Sequence, residues 1–176
     1  MHENEAGARS NASRSSALIA LGGNIGDVRA TFDDAIAELL GMAEADLLAR
    51  SSNYATPPWG DEQQPRFINA CIEIRTGLAP LALLKVLQAV ERAFGRERSE
   101  KRPWGPRTLD LDLIAYDDVA MDHPELTLPH PRLFERAFVL APLVEIAPGR
   151  LIAGQNVSTA LAKLSTDGIE RLPDTD

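Results

Sequence analysis

The sequence predicts an α+β fold with a mostly antiparallel sheet of about four strands, flanked by helices and followed by C-terminal additions. Two observations predict it. Apolar residues alternate or cluster in runs of strand length at 17–21, 46–55, 67–76 and 108–116. Between these runs, apolar residues recur at helical spacing over 32–40 and 81–94. The resulting order of strand, helix, strand, strand, helix and strand is typical of a ferredoxin-like core.

The elements of this core have recognisable ends. A glycine-rich turn at 22–27 leads from the first strand into the first helix, and Gly41 is expected to end that helix. A loop at 56–61 with two prolines separates the second and third strands, which we expect to be antiparallel neighbours. Pro80 suits a first helical position, and Gly95 is expected to close the second helix.

The chain beyond the core is expected to add smaller elements. These are a hairpin over 117–127, a turn around His130, a helix near 136–145 and a short helix near 157–164. Residues 1–16 mix small, polar and charged residues without periodicity, which predicts a disordered N-terminal extension. We therefore expect residues 17–176 to form a single domain.

Composition and charge exclude several classes of protein. The 176 residues are 44% hydrophobic and 25% charged, which suits an ordinary globular protein and is enough for a monomer. The formal net charge of -8 argues against a general binder of nucleic acid or anionic membranes. No apolar run approaches the ~20 residues of a membrane span. The single cysteine, Cys71, cannot form an internal disulfide and is expected to be a packed core thiol, so we expect a cytoplasmic protein.

The most informative pattern is the alternation of leucine and aspartate at 109–113, in the last core strand. It sends the leucines to one face of the strand and both Asp110 and Asp112 to the other. Their Cα atoms would lie ~6.6 Å apart, where two like charges repel by about 2.5 kcal/mol at an effective dielectric of ~20. A magnesium ion would offset that repulsion and prefers such oxygen ligands. A solvated edge strand is the alternative explanation of the same pattern.

A basic segment precedes these aspartates. Between positions 92 and 107 the chain has six basic and two acidic residues, a local charge of +4. Glycines and prolines make the same segment a long loop, which suits a lid over phosphate groups, although a solvated charged loop would have the same composition. An arginine-rich loop directly before paired aspartates favours phosphoryl transfer.

Two other kinds of site are excluded. The turn at 22–27 lacks the Gly-Lys-Ser/Thr ending of a Walker loop, and its glycines do not fit the dinucleotide fingerprint. We therefore interpret it as a turn and helix cap. The three histidines and the cysteine are not clustered as they would be in a zinc site.

Five segments together closely resemble the hydroxymethyl-dihydropterin pyrophosphokinases of folate biosynthesis. They are ALGGNIGD at 20–27, YATPPWG at 54–60, QPRFIN at 64–69, WGPRTLDLD at 104–112 and LPHPR at 128–132. The resemblance runs from about residue 17 to residue 148 and is most specific at 104–112. It implies transfer of the terminal pyrophosphoryl group of ATP to the hydroxymethyl oxygen of a reduced pterin, with release of AMP.

The same resemblance implies roles for individual residues. Asp110 and Asp112 would bind two magnesium ions that bridge the ATP phosphates, and Asp112 would also help to deprotonate the attacking hydroxyl. Arg96 and Arg107 would be the main clamps on phosphate charge. The other implied nucleotide contacts are Gln88, Glu91, Arg98, Trp104, Leu113, Thr127, His130 and Arg136. The implied pterin contacts are Thr56, Pro57, Trp59, Phe67, Asn69, Trp104 and Phe138.

The chain departs from the family pattern at a few positions. Gly23 stands where many relatives have serine, which is expected to loosen the first turn slightly. Glu125 occupies a position where some relatives carry an arginine. The loop that follows Arg98 is a residue longer than in some relatives, which leaves open whether Arg98, Lys101 or Arg102 reaches the phosphates.

Two alternatives remain. A non-catalytic ferredoxin-like module could bind a small molecule as a sensor, or RNA on its sheet, although the strands lack the aromatic pattern of RNA-binding sheets. A kinase that transfers a single phosphoryl group would share the predicted site but would release ADP.

Overall fold

A computed structural model describes residues 13–58, 62–95 and 105–174. The strands are β1 (Ser15–Gly23), β2 (Asp46–Arg50), β3 (Tyr54–Thr56), β4 (Phe67–Thr76), β5 (Asp110–Tyr116), β6 (Met121–His123), β7 (Leu126–Leu128), β8 (Leu151–Ile152), β9 (Gln155–Asn156) and β10 (Glu170–Arg171). The helices are α1 (Val28–Met42), α2 (Pro80–Ala93), α3 (Ala137–Ile146) and α4 (Val157–Ala162), with a 3₁₀ helix at Leu133–Glu135.

Within the described part of the chain, the main sheet has six strands. Its order is β10, β3, β4, β1 and β5, and β2 also pairs with β4. Every pairing in this sheet is antiparallel. The order of β3, β4, β1 and β5 is that of a ferredoxin-like core, so the predicted fold class is confirmed.

Helices α1 and α2 cover one face of the sheet. Ile19 and Leu21 of β1 belong to the same buried cluster as Phe32 of α1 and Leu87 of α2. Burial of each such side chain contributes ~1.5–3 kcal/mol. This layer therefore anchors β1, the central strand, between its two neighbours.

Helices α3 and α4 cover part of the other face. Leu18 of β1, which points opposite to Ile19, clusters with Leu140 and Leu143 of α3 and with Val157 of α4. The start of α3 borders a cleft on this same face. This face of the sheet is thus covered in part, and the cleft opens beside the start of α3.

The predicted ends of the two long helices are confirmed in three of four cases. The carboxylate of Asp27 accepts a hydrogen bond from the main-chain N–H of Ala30 at 3.2 Å and caps α1. Pro80 is the first residue of α2, and Gly95, with φ of 81°, follows its last turn. The fourth prediction, that Gly41 ends α1, is wrong.

Gly41 lies inside α1, which continues to Met42. The left-handed residue that ends this helix is Glu44, with φ of 45°. The N–H of Ala45 donates to the carbonyl of Leu40, and the N–H of Glu44 donates to that of Gly41, which is the Schellman arrangement. A non-glycine residue thus ends the helix three positions later than predicted.

The strands also differ from prediction in detail. β1 begins at Ser15, so the first strand starts earlier than residue 17 and includes two residues assigned to the N-terminal extension. The stretch 46–55 is two strands, β2 and β3, both antiparallel to β4 as expected for neighbours. β10 was not predicted. Residues 1–12 lie outside the described residues, and the division into an extension and one domain stays a prediction.

Two smaller expectations can be checked. Cys71 is 1% exposed, and burial raises the pKa of its thiol, so it is the packed core thiol that was predicted. Among the described residues, no helix combines the length and the hydropathy needed to cross a membrane.

Candidate active site

The two aspartates of β5 lie on the sheet face opposite α1 and α2. Leu111 between them is buried in the core at 4% exposure, whereas the side chains of Asp110 and Asp112 are 20% and 36% exposed. The strand register places Asp110 opposite Gly22 and Asp112 opposite Ala20. The alternation therefore separates leucines from aspartates as the sequence predicted.

These aspartates line a cleft between the sheet and the start of α3. The cleft brings together residues that are far apart in sequence and were predicted for both substrates. The predicted residues that line it are Thr56, Pro57, Phe67, Asn69, Arg107, Asp110, Asp112, Arg136 and Phe138. A concave site with apolar walls and a few convergent polar groups is the usual form of a small-molecule site.

Each aspartate of the cleft faces an arginine. Nη1 of Arg107 lies 2.9 Å from Oδ2 of Asp110, and both side chains are 20% exposed. Nη1 of Arg136 lies 3.8 Å from Oδ2 of Asp112. The carboxylate charges are therefore partly offset by guanidinium groups from two sides of the cleft. The same guanidinium groups are suited to binding phosphate oxygens.

Asn24 links the glycine-rich turn to Arg107. Its Oδ1 accepts a hydrogen bond from the main-chain N–H of Arg107 at 3.0 Å. Its Nδ2 donates to Oε1 of Gln64 at 3.0 Å and to the carbonyl of Pro65 at 3.1 Å. Asn24 is 7% exposed, and its amide is held by hydrogen bonds to two other segments of the chain.

Beside the aspartates, the cleft contains a small polar pocket. Nδ2 of Asn69 donates to Oγ1 of Thr56 at 2.7 Å, and both residues are buried. A Cβ placed on Gly22 would lie 3.1 Å from Oδ1 of Asn69, so the amide oxygen faces the cleft floor. Phe67 and Phe138 line the same cleft. The pocket therefore combines an oriented amide with aromatic side chains.

His130 lies near the charged end of the cleft. Burial and the charges of Arg136 and Arg132 lower its pKa, Asp110 raises it, and the net result is a pKa of about 4. The ring is therefore neutral near pH 7. Its Nδ1 accepts a hydrogen bond from the main-chain N–H of Arg132 at 3.1 Å, which leaves the ring proton on Nε2.

The residues predicted on α2 lie beside the outer edge of β5. Oε1 of Glu91 accepts a hydrogen bond from the main-chain N–H of Leu111 at 2.8 Å, and Glu91 is only 2% exposed. Glu91 thus satisfies a main-chain donor on the strand edge. Gln88 precedes it by almost one turn on the same side of α2. These residues are not part of the cleft lining, but they border the strand that bears the aspartates.

Two further predicted nucleotide contacts have contrasting positions. The side chain of Leu113 is 3% exposed and packs in the core, so a contact with a ligand at this position would have to come from its main chain. Thr127 is exposed on β7. The turn after β7 is joined to β5 by the N–H of His130, which donates to the carbonyl of Ile114 at 2.8 Å.

Several predicted residues lie outside the described ranges. They are Trp59, Arg96, Arg98, Lys101, Arg102 and Trp104. Their assignments rest on the sequence alone. The arginine-rich part of the predicted lid belongs to this group.

Sequence reasoning missed four residues that line the cleft, namely Ala20, Leu21, Gly22 and Val139. It also missed the linking role of Asn24. The glycine turn had been interpreted only as a turn and cap, because no local motif marks Gly22 as a floor residue. The signal that could have found it is strand register, since Gly22 lies opposite both Asp110 and Asn69.

The carboxylates of the cleft fit a magnesium ion that arrives with its nucleotide. No group of three or more His, Cys, Asp or Glu residues within the described ranges could hold a metal ion. Two carboxylates on one strand face, open to the cleft, suit an ion that takes its remaining ligands from water and phosphate oxygens. Asp110 and Asp112 would hold it.

The fold and the cleft together define a phosphate-transferring enzyme with an α+β core. The family model of 7,8-dihydro-6-hydroxymethylpterin-pyrophosphokinase (HPPK) matches residues 18–148. The chain belongs to this family. It is a pyrophosphokinase of folate biosynthesis, as the resemblance implied.

Two relatives that bear the name of this enzyme match over nearly their whole length. The 2-amino-4-hydroxy-6-hydroxymethyldihydropteridine pyrophosphokinase of Methylorubrum extorquens is 47% identical over 156 residues, which cover 89% of this chain and 98% of the relative. The corresponding protein of Pseudomonas aeruginosa is 42% identical over 156 residues, which cover 88% and 95%.

Solved structures agree on the fold. The wild-type HPPK-DHPS of Plasmodium falciparum, crystallised with pteroate, matches 86% of this chain with a TM-score of 0.66 and 13% sequence identity. This chain spans 42% of the length of that protein. At this identity the match supports the fold alone.

Proposed function

We propose that the chain transfers the pyrophosphoryl group of ATP to the hydroxymethyl group of 6-hydroxymethyl-7,8-dihydropterin and releases AMP, as a monomer. The observation that carries the proposal is a cleft in which Asp110 and Asp112 lie beside the polar pocket of Thr56 and Asn69. Substrates held side by side in one cleft are positioned for direct transfer.

The pterin is proposed to occupy the polar pocket. Its pyrimidine edge presents donors and acceptors in one plane, which an oriented amide can pair with. The hydrogen bond from Asn69 to Thr56 fixes that amide, and Gly22 leaves space in front of the amide oxygen. Phe67 and Phe138 offer flat faces on which the ring system can stack.

The phosphates are proposed to occupy the charged end. Arg107 and Arg136 each contact an aspartate of the cleft, so both guanidinium groups are close to where phosphate charge would develop. The neutral ring of His130, with its proton on Nε2, supplies a further donor that adds no charge. Arg96, Arg98, Trp59 and Trp104 keep the roles that the family resemblance implies for them.

The rest of the nucleotide is proposed to extend along the outer edge of β5. Gln88 and Glu91 of α2 border this edge, and Thr127 is exposed on β7, which packs near it. The main chain of Leu113 faces the same region. A flat base lying here would leave its phosphates directed toward Asp110 and Asp112.

We further propose that Asp110 and Asp112 hold two magnesium ions together with the phosphates. Magnesium neutralises phosphate charge and orients the triphosphate when it is bound. The aspartates would then exchange part of their pairing with Arg107 and Arg136 for metal ligation. Arg107 and Arg136 could then bind phosphate oxygens.

The transfer forms one new bond to the β-phosphorus and breaks another bond to the same atom. The hydroxymethyl oxygen of the pterin bonds to the β-phosphorus, the bond from that phosphorus to the α,β-bridging oxygen breaks, and AMP leaves with the electron pair. Asp112, the more exposed of the two carboxylates, is proposed to accept the hydroxyl proton. Arg107 and Arg136 stabilise the charge that develops on the phosphate oxygens.

The product identifies the reaction. Incubation with ATP, magnesium and 6-hydroxymethyl-7,8-dihydropterin should release AMP and pterin diphosphate in equal amounts, measured by phosphorus NMR or chromatography. ADP as the nucleotide product would indicate a single-phosphoryl kinase instead. AMP formed equally fast without the pterin would exclude it as the acceptor.

A pair of matched variants tests the aspartates. Asp110→Asn and Asp112→Asn should each lower kcat by about 100-fold or more, because an amide neither binds magnesium well nor accepts a proton. Asp122→Asn, on exposed β6, is the matched control and should leave kcat unchanged. Circular dichroism and melting curves would show whether the folds are retained.

A further inference from the structure

We propose that residues 165–174, here called the C-terminal tail, position Pro57 directly after β3 and thereby set the affinity for the pterin. The inference rests on the proposed function, because it takes the Thr56 and Pro57 end of the cleft to be the pterin end. The family match ends at residue 148, so the tail lies beyond the segment that defines the family.

The tail extends the sheet next to the cleft. Its strand β10 pairs with β3, with Glu170 opposite Ala55 and Arg171 opposite Tyr54. The N–H of Leu172 donates to the carbonyl of Asn53 at 2.8 Å. β3 would otherwise be an open edge of only three residues, directly before the cleft loop.

Arg66 joins the tail to both sides of the loop. Its Nη2 donates to the carbonyl of Ala55 at 3.2 Å and to the carbonyl of Gly168. Its Nη1 lies 3.4 Å from the carboxylate of Glu170. Arg66 directly precedes Phe67, which lines the cleft. One guanidinium group therefore connects β3, the tail and the residue before a cleft side chain.

Gly168 places the tail against the loop itself. A Cβ on this residue would lie 2.7 Å from Cγ and 3.3 Å from Cδ of Pro57, which lines the cleft. Its φ of 77° is also a conformation that residues with side chains rarely adopt. The main chain of the tail thus packs on the proline ring at a distance that only glycine permits.

The tail is fixed to the body of the protein on its other side. Nε of Arg171 donates to Oγ of Ser52 at 2.9 Å and lies 3.8 Å from Oε2 of Glu145 on α3. Nη1 of Arg29 on α1 donates to the carbonyl of Pro173 at 3.1 Å. The tail therefore acts as an anchored support behind Pro57.

The variant Gly168→Ala tests this support, and Gly154→Ala is its matched control. Both glycines have nearly the same φ, 77° and 76°, but a Cβ on Gly154 would have no atom within 4 Å. Gly168→Ala pushes on Pro57, so KM and Kd for the pterin should rise about tenfold, with KM for ATP little changed. The control should change neither constant, although it carries the same backbone strain.

Arg66→Met provides a second variant that removes the bridge without adding bulk. It should also raise KM for the pterin and not for ATP. If Gly168→Ala does not fold, Arg66→Met still tests whether the tail sets the affinity for the pterin. Three results would each overturn the inference. The two glycine variants could change the pterin KM equally, or a variant could raise KM equally for the pterin and ATP. Arg66→Met could also leave the pterin KM unchanged.

Asn69→Ala separates this inference from the proposed function. If Asn69→Ala raises the pterin KM and Gly168→Ala does not, the role of the tail is wrong but the pterin site stands. If neither variant changes the pterin KM, the assignment of the Thr56 and Pro57 end of the cleft to the pterin is wrong as well.

Discussion

Asn24 and Arg107 are hydrogen-bonded to each other in both directions. The N–H of Asn24 donates to the carbonyl of Arg107, and Oδ1 of Asn24 accepts from the N–H of Arg107, both at 3.0 Å. Arg107 in turn pairs with Asp110. The turn after β1 therefore fixes the main chain of an arginine that faces the cleft.

Asn24→Ala should destabilise the protein and slow the reaction. It leaves the N–H of Arg107 without its acceptor, at a cost of about 1–3 kcal/mol of unfolding free energy. It should also lower kcat, because Arg107 loses its fixed position. Chemical denaturation and steady-state kinetics measure the two effects. Asn156→Ala, which removes a helix cap on α4, is a control that should affect stability alone. An unchanged kcat in Asn24→Ala would contradict the positioning role.

In this chain a side chain at Gly23 should be destabilising, although many relatives have serine at this position. A Cβ at this position would lie 2.6 Å from the carbonyl oxygen of Thr108, two residues before Asp110. The glycine thus permits a close approach of the turn to β5, rather than only loosening the turn as the sequence suggested. Gly23→Ala should cost about 1–3 kcal/mol of stability and lower kcat.

Gly41→Ala is the matched control for Gly23→Ala. Gly41 lies inside α1, and a Cβ there meets no atom within 4 Å. Alanine should therefore stabilise the protein by up to ~1 kcal/mol. Thermal melts of the two variants should shift in opposite directions, and equal shifts would show that the contact with Thr108 does not matter.

Glu145 should make stability depend on acid pH. Burial raises its pKa, but hydrogen bonds from the Tyr54 hydroxyl and from the N–H and hydroxyl of Ser52, with the charge of Arg171, lower it more, so its pKa lies below the usual 4.5. Burial, together with the hydrogen bond to Glu145, raises the pKa of Tyr54 to about 12. Because the folded state lowers the carboxyl pKa, its stabilisation is present above pH 4.5 and is lost as pH falls through the folded pKa.

The variant Glu145→Gln tests this pH dependence. It should be about 1–2 kcal/mol less stable than the native protein near pH 7, and the difference should shrink below pH 4.5. Urea unfolding at several pH values measures it. Glu135→Gln, in a surface ion pair with Arg132, should cost little at any pH. If the stability difference between Glu145→Gln and the native protein stayed constant with pH, the lowered pKa of Glu145 would be contradicted.

The sequence predicted the fold class and the part of the site that follows from local patterns. Asp110 and Asp112 share a strand face because alternation fixes it, and α2 begins and ends where proline and glycine indicate. The cleft residues Phe67 and Asn69 came from family resemblance, since no local rule brings them near β5. The predicted lid over residues 96–104 lies outside the described residues, so it stays a prediction.

The parts of the fold and site that the sequence did not predict depend mainly on pairing between distant segments. Gly22 becomes a floor residue only through its register with Asp110 and Asn69. β10 has two residues and no strand signal of its own, so its pairing with β3 is set by Arg66 and the neighbouring contacts. Gly41 was assigned to a helix end because glycine often ends helices, yet Glu44 adopts the left-handed conformation instead.

The central claim is that Asp110 and Asp112 hold a divalent cation against the nucleotide phosphates. The most direct measurement is a crystal structure with magnesium, the pterin and a non-transferable ATP analogue. An oxygen of each carboxylate should lie ~2.0–2.1 Å from a magnesium ion that also contacts phosphate oxygens. Magnesium bound by the phosphates with both carboxylates out of coordinating distance would contradict the account.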